Sequence, residues 1–486
     1  MTNIMDVIVA NNKPAAGRQS ISAWRPRSGA LTTVLALGLI GSVAALGQRN
    51  ARRVVAPDEI TSWSPNPVLD WNQIFIDMLV ATNTANSSSQ RLGAIVHTAI
   101  FDAYNGIERR YSPIFVQDRA PEGTSRRATI IAAAYTALVD LFPTQKPALD
   151  VSYAASLAAL SDAEGDGGRS RERGIEWGTE VALEVLAWRA GDGFSISYPP
   201  FTGGTAVGQW RPTPPGFGPM SAQSLAFTAM FALISNTQFR PEPPRGLMTP
   251  TYTSDFNAVK ALGRGTGSAR TAEQTALALF WDGNASVHWN QAANQIARAN
   301  HLSISESNRL LAVLNIAMAD TSFTVWSAKR FYGSLPMEVT WRPVTAIPLA
   351  DTDGNPDTIA DPDWLPLIIT PSHPEYPAGH PSLNGAAATV LLSYFKPQQS
   401  FTLTTAGQPT LKYTSIPRAR ADANNARVWG GMHYPSTVEI SDGVGEQIAN
   451  YVNQNSMQPP HGSRGRDDLH RWTGSGSLAG SPAGSL

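Results

Sequence analysis

Apolar residues in this chain recur mostly at intervals of three and four, the period of a helix. From Leu92 they fall at Ile95, Val96, Ala99, Ile100, Ala103 and Ile107, behind the serines at 87–89, which supply a capping signal. Residues 128–141 (ATIIAAAYTALVDL) make a second such stripe, rich enough in alanine for a neighbouring helix to approach closely, and Phe142 and Pro143 close it. Ser303 and Glu306 precede Leu310, Leu311, Val313, Leu314, Ile316, Ala317 and Met318, a capping-box pattern that predicts a long helix reaching about Tyr332. Further helices are expected after Gly385 and through Val438, Val444, Ile448 and Val452. Strand-like alternation is scarce, limited to one hairpin expected within residues 401–413. No repeat of fixed period stands out.

The pattern predicts an all-α fold, two packed four-helix-type bundles with long proline-rich loops. We divide it into an N-terminal helical half (63–250) and a C-terminal helical half (251–455). Residues 198–250 hold YPPFTGG, WRPTPPGFGP and RPEPPRG, with Trp210, Phe217 and Phe239 among them. A loop of that length inside a domain is expected to be a rim packed over a surface rather than a linker. Residues 459–486, rich in Gly and Ser, are expected to be disordered. At the other end, Arg25 and Arg27 precede an apolar run (30–46), with small residues at Ala45 and Gly47. Residues 1–47 read as a signal peptide, or as an uncleaved N-terminal anchor. Either places the body outside the cytoplasm, secreted, periplasmic or on the exterior of the cell envelope, and that segment is its one expected contact with a membrane.

Composition narrows the chemistry. With 37 basic against 38 acidic residues, and no basic run interleaved with aromatics, nucleic acid is not an expected partner. The absence of cysteine excludes disulfides, zinc–thiolate sites, iron–sulfur clusters and thiol nucleophiles. No Gly-x-Ser-x-Gly elbow follows a strand signal, so a Ser/His/Asp hydrolase is not expected. The acidic run 351–361 (DTDGNPDTIAD) superficially resembles a calcium loop. Glycine falls at its fourth place, however, and Pro362 stands where a bidentate glutamate is required.

Three patches of the C-terminal half concentrate reactive side chains. Lys329 ends the capped helix and Arg342-Pro343 lies beyond it; Gly379-His380 precedes Pro381; Arg427 and His433 lie in ARVWGGMHYPST. Pro381 suits the first turn of a helix, so Gly379 and His380 are expected at a helix N-terminus, where free N–H groups and the dipole favour an anion. Two guanidinium forks and one ammonium would neutralise a multiply charged oxyanion. Each close pair is worth on the order of 4 kcal/mol at an effective dielectric of 20, before desolvation. Gathering three cations with no anion is costly, which argues for a ligand. The two imidazoles remain for acid–base work and for nucleophilic attack or ligation.

K…RP, then PAGH, then AR with five residues before His, resembles the three-part signature of the vanadium-dependent haloperoxidases, bacterial branch, within the type 2 phosphatidic acid phosphatase superfamily. The stretches GQWRPTPPGF, HWNQAANQIA and DGNPDTIADPDWLPLIITPSHPEYPAGH extend the likeness over residues 63–452. The resemblance implies vanadate held by Lys329, Arg342, Arg427 and the Gly379 backbone. It implies His433 as the axial vanadium ligand, His380 as the acid–base residue, and Trp326 on the halide side. Hydrogen peroxide would oxidise halide to a hypohalous-acid equivalent that halogenates small organic substrates, with vanadium acting as a Lewis acid. Family members often form homodimers, which extends that expectation to this chain.

The sequence departs from the family pattern in three places. Twelve residues separate Lys329 from Arg342 where six are usual, which suggests an inserted loop and makes Arg330 the alternative lysine substitute. Ala378 stands where many members place a serine, and losing that bond is worth about 0.5–1.5 kcal/mol of anion binding. Thr437 stands where the motif often ends in aspartate, which leaves the acceptor that orients His433 unassigned. His373 occupies a position that is phenylalanine in chloride-oxidising members and often histidine in bromide-oxidising ones, so bromide is favoured; the alternative is a surface histidine. Asp282 or Asp320 would brace an active-site arginine, or lie plainly on a helix surface. His97 and His288 read as core or surface histidines. The rival activity is an acid phosphatase, with His433 attacking phosphorus and His380 protonating the leaving group. A protein that binds the oxyanion without turnover is the third reading.

Overall fold

The computed structural model describes residues 63–160 and 168–460. The expected signal or anchor, and the glycine- and serine-rich tail beyond residue 460, lie outside the described residues. The first bundle is built from α1 (Pro67–Ala81), α2 (Asn86–Glu108), α3 (Arg126–Leu141) and α5 (Gly168–Ala190), with the shorter α4 (Lys146–Ala158) against α3. After the long loop come α6 (Pro250–Leu262) and α7 (Ala272–Phe280). The second bundle comprises α8 (Ala285–Ala299), α9 (Ile304–Gly333), α11 (Gly379–Tyr394) and α13 (Pro435–Asn455). The one-turn α10 (Pro343–Ala346) and α12 (Ile416–Trp429) flank it, and β1 (Phe401–Leu403) pairs antiparallel with β2 (Leu411–Tyr413), the expected hairpin.

Local chemistry accounts for the boundaries. Ser303 and Glu306 form the anticipated capping box: Ser303 N–H donates to the Glu306 carboxylate at 2.8 Å and Glu306 N–H to Ser303 Oγ at 3.3 Å. α9 then runs for 30 residues, and its most apolar window, long enough to cross a membrane, is wholly buried in the protein. α9 packs on α2, and α1 on α8, so one continuous apolar core passes through both bundles. A satellite core of Tyr252, Phe256, Trp341, Ile347, Trp364 and Tyr434 underlies α6, α10 and the start of α13.

The bundles correspond to one another. Trp71-Asn72-Gln73 of α1 and Trp289-Asn290-Gln291 of α8, Arg91 and Arg309, and Asp102 and Asp320 recur at one constant offset. His97 on α2 bonds Asn72 at 3.0 Å, and Asn315, its counterpart on α9, bonds Asn290 at 3.0 Å. So the reading that found no repeat is corrected: the repeat spans half a chain and keeps few identities, which hides it from a search for short periods. Asp320 is also not a helix-surface aspartate. It is fully buried and accepts the N–H groups of Phe231, Ala232 and Leu233 at 2.7–2.9 Å, as Asp102 accepts those of Ile114, Phe115 and Val116 at 2.8–3.0 Å. Asp320 thereby pins part of the 198–250 loop against α9, and Ser221 N–H of the same loop donates to Ser372 O at 2.7 Å. The loop is a packed rim, as expected.

Candidate active site

Lys329 lies in the last turns of α9, fully buried, and its Nζ donates to the carbonyls of Pro374 at 2.6 Å and Glu375 at 3.1 Å. The lengthened spacer does not displace it, because α9 ends at Gly333 and residues 334–342 turn back to place Arg342 at the cap of α10. Arg330, the alternative, lies over the Phe201 ring at 4.2 Å, outside the cluster. Arg342 fills its fork: Nε donates to His373 O at 2.9 Å, one terminal nitrogen to His373 Nδ1 at 2.8 Å, and the other to Met432 O at 2.8 Å and His433 Nε2 at 3.0 Å. Arg427 ends α12, with one terminal nitrogen 3.3 Å from both Trp281 O and Asp282 Oδ1 and the other 3.2 Å from Met432 Sδ.

α11 starts at Gly379, so Pro381 is its third residue rather than its first. The conclusion drawn from Pro381 survives, since none of the first helical N–H groups has an intrahelical partner. No side chain caps this terminus; Ala378 N–H, just before it, donates to Ser441 Oγ at 2.7 Å. Trp326 closes the other side. A Cβ on residue 379 would stand 3.3 Å from its ring, its indole N–H donates to Ser221 O at 3.2 Å, and it lies 5.3 Å from the His373 ring. His380 Nε2 lies 3.2 Å from Gly283 O. All nine residues singled out from sequence therefore fall on this one region. His373 is buried in it, which removes the surface-histidine alternative.

Burial sets the electrostatics. It lowers Lys329 well below the usual lysine range, with Arg342 pushing the same way, and brings Arg342 down to about 9; Arg427 is lowered too. His433 is lowered well below 6.5 by burial and then by Arg342, Lys329 and Arg427, so it is neutral. Arginine only donates, so the bond from Arg342 leaves His433 Nε2 holding the lone pair and Nδ1 holding the proton. His380 is likewise lowered by burial and Arg427, and His373 by burial, Lys329 and Arg342.

The residues fit a tetrahedral oxyanion. Among the described residues Arg427 Nε is buried and finds no acceptor. Its other contacts are long, and the bracing Asp282 side chain is 43% exposed. An uncapped helix terminus, a glycine whose Cβ would crowd the Trp326 ring, and three buried basic side chains complete a cradle suited to an anion.

Sequence reasoning missed one residue. Glu375, 1% exposed, accepts from His433 Nδ1 at 2.8 Å, Tyr434 N–H at 3.2 Å and Thr437 Oγ1 at 3.0 Å. Burial pushes its carboxyl up to about 7, with Arg342 and Lys329 pulling it down. The signal that could have found it is Thr437 itself, a hydroxyl where an acid was expected. Asp282 is the aspartate that braces Arg427. His97 and His288 are core residues: His288 stacks on Phe280, bonds Thr405 Oγ1 and is pushed down to about 3. In the acidic run, the Asp353 carboxylate is bonded to Asn355 N–H at 2.8 Å and to Thr358 Oγ1.

Residues 309–462 match the family model of the VCPO second helical-bundle domain. No curated protein matches the chain. A crystal structure described as the first bacterial vanadium-dependent iodoperoxidase superposes with a TM-score of 0.69 at 21% identity, covering 82% of this chain and 99% of that one. A bacterial vanadium-dependent chloroperoxidase superposes in its apo form with 0.61 at 18% identity, over 76% of this chain and 94% of that one. A holo-type bacterial vanadium-dependent chloroperoxidase gives 0.58 at 17%, over 82% of this chain and 95% of that one. The chain has the helical fold of these vanadium-dependent peroxidases, and its segment 309–462, which carries every cluster residue from Trp326 to His433, matches the model of the VCPO second helical-bundle domain.

Proposed function

We propose that this protein is a vanadate-dependent haloperoxidase that uses hydrogen peroxide to oxidise halide to a hypohalous-acid equivalent, which halogenates small organic molecules. The observation that carries this reading is the buried Lys329–Arg342–Arg427 triad around a neutral His433 whose Nε2 lone pair faces Arg342. Bound vanadate would supply Lewis-acid activation of peroxide. Lys329, Arg342, Arg427 and the first N–H groups of α11 would hold its oxygens, and His433 Nε2 would be the protein's ligand to the metal. Burial of Lys329, Arg342, Arg427 and His433 keeps bulk water from these contacts, which strengthens each of them, whereas His380 is only half-buried. His380 Nε2 donates to Gly283 O, which leaves Nδ1 as the nitrogen that takes and returns a proton. For the halide, His373 packed beside Trp326 favours bromide over chloride, on the strength of the family resemblance. Export rests on the apolar run at 30–46.

A neutral His433 with its lone pair on Nε2 is also a competent nucleophile toward phosphorus, which is what favours the phosphatase as second reading. One comparison separates the two. Purified protein is loaded with orthovanadate and assayed for bromide-dependent halogenation with hydrogen peroxide; in parallel, vanadate-free protein is assayed for phosphate-ester hydrolysis. Halogenation that requires vanadate and is suppressed by excess phosphate is the expected result. Hydrolysis inhibited by vanadate, with no halogenation, would assign the phosphatase instead.

A further inference from the structure

We propose that Glu375 is the positioning residue for His433, fixing its tautomer and ring plane so that Nε2 is presented to the anion cradle. This rests on the haloperoxidase reading for the identity of the anion, but the tautomer it demands belongs to the protein alone. Three donors converge on the carboxylate from one short stretch, the His433 ring, the Tyr434 backbone and the Thr437 hydroxyl, at 2.8, 3.2 and 3.0 Å. Both oxygens accept, so the group is held in one plane and cannot swing away from the imidazole. The other face of the ring agrees. Arg342 donates to Nε2 at 3.0 Å, which demands a lone pair there and a proton on Nδ1, where Glu375 receives it.

The backbone of the same residue ties this bond to the cations. Glu375 O accepts from Lys329 Nζ at 3.1 Å, and Glu375 N–H donates to Thr340 O at 2.9 Å, two residues before Arg342. Residue 375 therefore sets His433 and Lys329 in register, with its carboxylate on Nδ1 of the ring rather than on Nε2. Thr437 Oγ1 lies 3.0 Å from Glu375 Oε2, so residue 437 lines the same pocket from α13.

The test compares two anions and one spectrum. In Glu375→Gln the apoprotein should bind orthovanadate, which takes a bond from Nε2, about 10–100-fold more weakly. Inorganic phosphate, which takes no such bond, should bind about as tightly as it does to the parent. The double variant Glu375→Gln, Thr437→Asp, which returns a carboxylate to this pocket from α13, should recover part of the lost vanadate affinity. Imidazole 15N shifts of the apoprotein should show His433 protonated at Nδ1 in the parent and as a mixture of tautomers in Glu375→Gln. Loss of both anions together, or unchanged vanadate affinity, would overturn the proposal. If the single variant does not fold, the parent spectrum decides, and a proton on Nε2 refutes it. A parent that binds phosphate but not vanadate would instead remove the haloperoxidase reading while leaving the spectrum to judge Glu375.

Discussion

At the scale of single residues the proposed function gives the holding of an anion and the moving of a proton to different side chains. Lys329, Arg342, Arg427 and the start of α11 would hold; His380, with Nε2 committed to Gly283 O, would use Nδ1 for proton transfer. His380→Ala should therefore lower halogenation about 10²–10⁴-fold while leaving vanadate affinity of the apoprotein within a few-fold, read from steady-state rates beside a vanadate titration. An unchanged rate would take His380 out of the mechanism. These residues were legible in the sequence because each belongs to a short segment in which spacing carries the signal: Gly-His at a helix start, Arg and His with five residues between them. Glu375 was not, since it lies 58 residues before its partner and only the chain's path brings them together. Asp320 misled for a related reason. An aspartate among apolar helix neighbours looks the same from sequence whether it faces water or three buried N–H groups.

At the scale of elements, what positions the anion cradle is the close approach of α11 and α13. A Cβ on Gly445 would lie 1.8 Å from Ser382 O on the facing helix, far inside any real contact, so the pair tolerates no side chain there. The first bundle uses the same device, a Cβ on Gly178 of α5 standing 2.3 Å from Thr129 O of α3. Gly445→Ala should cost about 3 kcal/mol, the upper part of the overpacking range, because the obstacle is backbone and a helix has to move. As α11 carries Gly379 and His380 at its start, the same substitution should weaken vanadate binding as well as lower the melting temperature. Unchanged melting would mean that the helices already have slack. The alanine-rich stretch 128–141 did forecast a close neighbour for α3. Which helix would be that neighbour was not legible, because helical periodicity names the buried face and not what covers it.

At the scale of the molecule, the two corresponding bundles make a controlled comparison available. His97 in the first bundle and Asn315 in the second occupy matching places and bond matching asparagines, Asn72 and Asn290. Burial pushes His97 down to about 3, so between pH 6.5 and 3 the unfolded chain takes a proton there that the folded one refuses. Its contribution is present above pH 6.5 and is lost as pH falls through that window, by about 3 kcal/mol at pH 4.5. Asp102 and Asp320 act with the opposite sign. Burial pushes both up to about 6, so the folded state binds protons first and is favoured as pH falls from there toward 3.8. The net acid profile of the parent mixes the two trends, but the difference between parent and His97→Asn isolates the histidine, since the carboxylates are common to both. The variant copies a pairing that the second bundle already makes, so it should match the parent near pH 7.5 and grow more stable than the parent as the pH is lowered to 4.5. Denaturant unfolding of both proteins at the two pH values measures this. A constant difference across that range would show that His97 takes up its proton as readily in the fold as in the unfolded chain.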